Sequence, residues 1–327
     1  MNFPGIPKTK HFIAKRGPAF MVIAFLRLVL FVILDWESKI HLFAITIIGF
    51  LLWGTFVEPH TIAVQKRYFD LPCKAKIALI SDLHLGLYKK QGFLKRIIKK
   101  INRLHVDYIF IAWDLSYYPK INKLHELFWP LKDSHVPVYV VLGNHDVEKP
   151  GHPIRKELIS AIQATGAHLL NNNIVHLSGF TLVGLGEYRS HEDDVSLLEN
   201  TQSLLPVIVL THNPQTIKKY TERHHVDLTL CGHTHWWQIR LPFIEKGVGL
   251  FSSTLKHSSR GYLTHKMHNY FITWWIGEVG LPMRFFSPPT IDVLYIWEKR
   301  RTLSKKIKDQ LKWYRDKISD VFTVKTL

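Results

Sequence analysis

Lys76-Ile77-Ala78-Leu79-Ile80-Ser81-Asp82-Leu83-His84 combines a β-forming run with an acid and an imidazole two residues apart. In extended backbone, alternate side chains point the same way, so Asp82 and His84 can reach one point in space. The same arrangement recurs along the chain. Predicted strands cover Lys76–Ile80, Asp107–Ala112, Val136–Leu142, Thr181–Leu185, Pro206–Leu210 and Val226–Leu230. Helical patterns cover Gly92–Leu104, Ile121–Leu131, Pro153–Thr165 and Pro214–Thr221. Such alternation predicts an α/β sheet core. Polar residues follow nearly every strand, at the end where open α/β sheets place their ligands.

The polar sets are Asp82-Leu83-His84, Asp114, Gly143-Asn144-His145-Asp146, Thr211-His212-Asn213 and Gly232-His233-Thr234-His235. Each has an ordinary reading alone: a surface His pair, an Asx turn, a helix cap. Together, each after a β run, they read as a metal centre. Carboxylates, imidazoles and one amide oxygen suit Mn, Fe, Zn or Mg, and the missing thiolates argue against structural zinc. Seven ligands (Asp82, His84, Asp114, Asn144, His212, His233 and His235) exceed what one ion needs and suit two ions sharing a carboxylate.

These stretches resemble the calcineurin-like metallophosphoesterase family, whose order is D-x-H, G-D, G-N-H-[DE], H and G-H-x-H. The resemblance implies a β-sandwich flanked by helices and two divalent ions, Mn first, with Fe, Zn or Mg as alternatives. It assigns Asp82, His84 and His235 to one ion, and Asn144, His212 and His233 to the other, with Asp114 bridging. It makes His145 the catalytic histidine and Asp146 the residue that orients its ring. Gln238-Ile239-Arg240-Leu241-Pro242 and Gly280-Leu281-Pro282-Met283-Arg284 further resemble a membrane-associated branch of that family. That branch includes a UDP-2,3-diacylglucosamine pyrophosphatase of lipid A synthesis and related phosphodiesterases. The implied activity is hydrolysis of a phosphodiester or pyrophosphate bond, with UDP-2,3-diacylglucosamine giving lipid X and UMP as one case.

The sequence departs from the pattern at tryptophans. Trp113, Trp236, Trp237, Trp274 and Trp275 stand where the family has small or charged residues, and Tyr117 replaces its second acid. Glycine allows positive φ and close backbone approach, which Trp does not. The tryptophans wall a site for an acyl chain, or crowd it and weaken metal binding or catalysis, or mark an altered sequence, since Trp and Gly codons can differ by one base. The second case leaves a metal-containing protein of weak activity that binds anionic membrane surfaces.

Composition frames these readings. Of 327 residues, 46% are hydrophobic and 21% charged, which excludes a disordered chain. Two cysteines exclude a disulfide-stapled scaffold and a four-Cys zinc ribbon. A net charge of +17 calls for an acidic partner. The basic residues gather at the termini and in Lys89–Lys100, which favours anionic lipid over nucleic acid. Two apolar runs, Ala19–Leu34 and Leu42–Val57, predict one or two membrane spans within 19–57, after a basic cytoplasmic segment 1–18. Two spans return the remainder to the cytoplasmic face of a bacterial inner membrane, whereas the second alone leaves it outside. Residues 58–74 read as a linker, 75–297 as the metallophosphoesterase domain, and 298–327 as a basic amphipathic helix.

Overall fold

The computed structural model describes residues 21–30, 39–112, 114–147, 154–199, 201, 205–233, 238–240 and 260–297. The elements run α1 (Met21–Leu30), α2 (Lys39–Leu52), β1 (Ala63–Asp70), β2 (Ala75–Ser81), β3 (Leu85–Gly86) and α3 (Gln91–Asn102). Then come β4 (Tyr108–Ala112), β5 (Ser116–Tyr117), α4 (Leu124–Phe128), β6 (Val138–Val141), α5 (Asn144–Val147) and α6 (Arg155–Gln163). The last group is β7 (His168–Leu169), β8 (Asn173–Leu177), β9 (Phe180–Gly184), β10 (Val207–Leu210), β11 (Leu228–Cys231), β12 (Gly261–His265), β13 (His268–Ile272) and β14 (Thr290–Trp297).

Two six-stranded sheets form a sandwich, in the orders β1-β14-β2-β4-β6-β7 and β12-β13-β11-β10-β9-β8. The expected calcineurin-like α/β sandwich is thus present. The first sheet is covered on both faces, so its central strands are continuous apolar runs. Ile77, Leu79, Phe110 and Val141 point into the sandwich and meet Phe180, Leu182, Ile208 and Leu230 of the second sheet. Their neighbours Ala78, Ile80, Ile109 and Val140 point the other way, onto α3, α4 and α6. Helix α3 presents Phe93, Leu94, Ile97, Ile98 and Ile101 to the sheet, at the spacing of one helical face. Lys99 and Lys100 lie in its last turn, where positive charge complements the helix dipole.

Three expectations need revision. The stretch 58–74, read as a linker, is built into the domain: Ala63–Asp70 is the edge strand β1, parallel to β14. The helix expected over Ile121–Leu131 breaks into a 3₁₀ turn (Ile121–Lys123), α4 and another 3₁₀ turn (Trp129–Asp133), with Pro130 at the start of the last. Pro214–Lys219 is likewise a 3₁₀ segment.

Helix α2 continues through a π-turn (Trp53–Val57) into a 3₁₀ turn (Glu58–His60). Within this run, the 20 residues His41–His60 are long and apolar enough to cross a membrane by length and composition. Leu42, Phe43, Ile47, Phe50, Trp53, Phe56 and Val57 are exposed along it. The end of the helix is locked onto the domain. Gly54 O accepts from Arg284 N at 2.7 Å, Phe50 stacks on Phe285 at 4.4 Å, and the buried Glu58 carboxylate accepts from Ser287 N. The expected helix over 298–327 lies outside the described residues.

Candidate metal centre

Strands β2, β4 and β6 are parallel neighbours, as are β9, β10 and β11. Their C-terminal ends therefore deliver Asp82 and His84, Asp114, Asn144, His212 and His233 from one edge of each sheet. Asp82, His84, Asp114 and His233 all have positive φ (52°, 45°, 43° and 70°). For non-glycine residues that backbone is costly, and its concentration here marks a place where side-chain aim outweighs local strain.

Two clusters of ligand atoms result, Asp82–His84–Asp114 and Asp114–His212–His233, each with its atoms within 4.8 Å of one another. Asp114 belongs to both. Its Oδ2 lies 3.8 Å from His84 Nε2 and 3.6 Å from His212 Nε2. Asn144 Oδ1 is 2.8 Å from His212 Nε2, and His233 Nδ1 is also 2.8 Å from that nitrogen. The donor set is hard to borderline, as Mn, Fe, Zn or Mg require. The space is kept open by Gly232, where a Cβ would fall 2.8 Å from Asp82 Oδ2. The arrangement is consistent with two ions sharing Asp114. Six of the seven expected ligands come together here; the seventh, His235, lies outside the described residues.

His145 is buried beside them. Its ring centroid is 5.0 Å from that of His84 and 5.7 Å from that of Tyr117, and its backbone N–H donates to Asp114 Oδ1 at 3.0 Å. The Asp146 carboxylate accepts from Leu115 N, Ser116 N, Ser116 Oγ and Gly143 N. These bonds fasten the Asp114 loop to the Asn144 turn, a role the sequence reading did not give it. Burial pushes the Asp114 carboxyl up, opposed chiefly by the nearby His145 charge and the His145 N–H. Burial, reinforced by the Asp114 charge, also pushes Asp146 up. A divalent cation would reverse that tendency for a ligating carboxylate.

The two C-terminal stretches singled out in the sequence form one clasp behind the site. Gln238 Nε2 donates to Leu281 O and Met283 O, and its Oε1 accepts from Val279 N. Gly277 N donates to Asp82 O at 2.7 Å, and Gly280 N to Tyr117 Oη at 3.2 Å. The fully buried Arg284 bonds Glu278 Oε1 and the carbonyls of Ser287, Trp275 and Gly277. Glu278 also pairs with Lys89 at 3.2 Å. Trp275 is itself buried, its ring centroid 5.8 Å from the Arg284 guanidinium. The Trp274 ring is covered by Arg260 at 3.6 Å. Trp113, Trp236 and Trp237 lie outside the described residues.

Sequence reasoning passed over Glu187 and Arg189, which follow β9. No motif announces them, although the polar stretch after a predicted strand was itself a signal. Arg189 Nη2 stands 3.2 Å from His233 Nε2. Glu187 is buried, and its Oε2 accepts from Ser190 N and Oγ.

Residues 75–237 match the family described as calcineurin-like phosphoesterase. An uncharacterized metallophosphoesterase of Helicobacter pylori (strain J99) is 31% identical over 247 residues, 72% of this chain and 63% of that protein. A second H. pylori protein of the same description is 30% identical, again over 63% of its length, so the chain spans less than two thirds of these relatives. The UDP-2,3-diacylglucosamine pyrophosphatase LpxG of Chlamydia muridarum is 26% identical over 307 residues, 74% of this chain and 92% of that protein.

Proposed function

We propose, from the premise that residues 75–237 are a calcineurin-like metallophosphoesterase domain, that the protein is a membrane-anchored phosphodiesterase or pyrophosphatase with two divalent ions. The observation that carries the reading is the Asp114 carboxylate shared between the His84 and His212 clusters. Asp82, His84 and His235 would hold one ion and Asn144, His212 and His233 the other. Bound there, two ions would supply an activated water and polarise the phosphoryl oxygens. His145, fixed through its N–H on Asp114, gives a proton to the leaving oxygen. Asp146 keeps the Asp114 loop and the Asn144 turn in register, and so keeps His145 aimed.

An amphiphilic substrate agrees with the rest of the molecule. The apolar helix ends on the clasp that braces Asp82, and Trp53, Leu281, Phe286 and Ile239 are exposed around that junction. With that helix in a membrane, the clasp would hold the site close to the membrane surface, which suits a lipid-linked phosphoester. The basic surface suits anionic headgroups. Similarity to LpxG makes UDP-2,3-diacylglucosamine the first substrate to try, at the cytoplasmic face of an inner membrane, and manganese the first metal. The test is turnover by the purified, metal-loaded protein. Release of UMP from UDP-2,3-diacylglucosamine above the rate for bis-p-nitrophenyl phosphate supports the substrate. Hydrolysis of the simple diester alone keeps the reaction class and rejects the lipid. Metal-loaded protein without turnover of either rejects the enzyme in favour of a metal-containing membrane-binding protein.

A further inference from the structure

We infer that Arg189 is a phosphoryl-binding residue of this site, its guanidinium gripping non-bridging oxygens of the substrate or product. The inference rests on the phosphoesterase reading above and adds a residue to it.

Four observations carry it. First, place: the loop after β9 leaves the same sheet edge as the His212 and His233 loops, because β9, β10 and β11 are parallel neighbours. Second, support: Glu187 is buried to 1% exposure and its Oε2 accepts from Ser190 N at 2.8 Å and Ser190 Oγ at 3.2 Å. A buried carboxylate holding the backbone on one side of Arg189 fixes where that side chain starts, while the side chain itself is exposed and able to reach. Third, contact: Arg189 Nη2 lies 3.2 Å from His233 Nε2. Fourth, pairing: Arg67, Arg155 and Arg284 are each bonded to a carboxylate. Arg189 makes no such ion pair among the described residues.

The chemistry of the contact gives it direction. A guanidinium has only donors. His233 turns Nδ1 toward His212 Nε2 and the shared cluster, and Nε2 toward Arg189. When neutral His233 offers the Nδ1 lone pair to an ion, its Nε2 carries the proton. Two donors then face each other, and Arg189 must turn to another acceptor. A phosphoryl group held at the cluster is an anion with oxygens to spare, and the planar fork of arginine matches them two at a time.

The test uses the full-length, metal-loaded protein in detergent, with Arg189→Ala and Arg189→Lys. Metal per chain is counted, inorganic phosphate binding is measured by calorimetry, and hydrolysis of bis-p-nitrophenyl phosphate is followed. A charged hydrogen bond to phosphate predicts phosphate binding about 10–100-fold weaker in Arg189→Ala, with metal content unchanged. Arg189→Lys falls between, because it keeps the charge without the fork. A wild-type protein that turns over and binds phosphate, beside an Arg189→Ala protein that does both equally well, overturns the inference alone. Loss of metal from Arg189→Ala also overturns it, making Arg189 a prop for His233. A wild-type protein that binds neither metal nor phosphate overturns the functional reading and the inference with it.

Discussion

Gly232→Ala probes the metal centre without replacing a ligand. An added Cβ would sit 2.8 Å from Asp82 Oδ2, 3.0 Å from Ser81 Cβ and 3.1 Å from Ser81 Oγ, where ordinary contact begins at 3.4 Å. The carboxylate oxygen, or the chain carrying Gly232, must then give by about 0.6 Å. Metal–ligand distances tolerate only about 0.2 Å. Asp82 is buried at the end of β2, with Gly277 N already on its carbonyl, so it has little freedom to follow. The expected result is one ion bound about 10–100-fold more weakly, the loss typical of a disturbed ligand support. The other ion is expected to stay, because the three atoms nearest the new methyl belong to Asp82 and Ser81 and not to His212 or Asn144. Calorimetric titration of metal-free protein with Mn²⁺ resolves the two sites. Gly92→Ala is the control: nothing lies within 4 Å of its Cβ, and alanine is the better helix former in α3. Two unchanged affinities in Gly232→Ala would refute the placement of Asp82 as a ligand.

Further outcomes follow from other parts of the molecule. His145→Ala should retain its metal and lose about 10²–10⁴-fold in kcat, read by steady-state kinetics with metal analysis alongside. Arg284→Met should destabilise the domain by about 3–5 kcal/mol, because it strips Glu278 of one partner and leaves three buried carbonyls short of a donor; urea unfolding in detergent reads this, and a loss below about 1 kcal/mol would contradict it. Burial holds the Lys89 ammonium down to about 8, against an ordinary 10.5, with Glu278 opposing the shift and Arg284 and Arg96 adding to it. Between those values the unfolded chain binds the extra proton. Lys89 therefore makes stability rise with pH from about 8 to 10.5, by about 3 kcal/mol, and Lys89→Met should flatten that rise.

The site was legible because its pieces are local. Each polar set follows its own strand within two or three residues, and parallel strands bring such ends to one edge without further information. The central strands were legible for a related reason: buried on both faces, they read as short apolar runs. What escaped is what depends on distant pairing. β1 carries Gln65, Lys66, Arg67 and Asp70 among its eight residues and is mostly half-buried or exposed, so only its register with β14, over two hundred residues away, makes it a strand. β13 opens His268-Asn269-Tyr270, which no β pattern announces. The Thr290–Trp297 run is rich in β-formers, and its strand is legible in its own residues. The clasp of Glu58, Lys89, Glu278 and Arg284 joins residues up to 229 positions apart along the chain, in the case of Glu58 and Ser287. It turns an expected linker into a rigid joint between the apolar helix and the metal loops. Tyr117, an apparent defect where an acid was expected, instead accepts from Gly280 N and lies beside His145.

The most direct measurement is the number of Mn²⁺ ions held per chain by the wild-type protein and by Asp114→Asn, counted by plasma mass spectrometry after equilibrium dialysis. If Asp114 is shared between the two clusters, the wild-type protein holds two ions, and the single substitution weakens both together. A wild-type protein that holds one ion, or an Asp114→Asn protein that keeps one site at full strength, would contradict the shared centre.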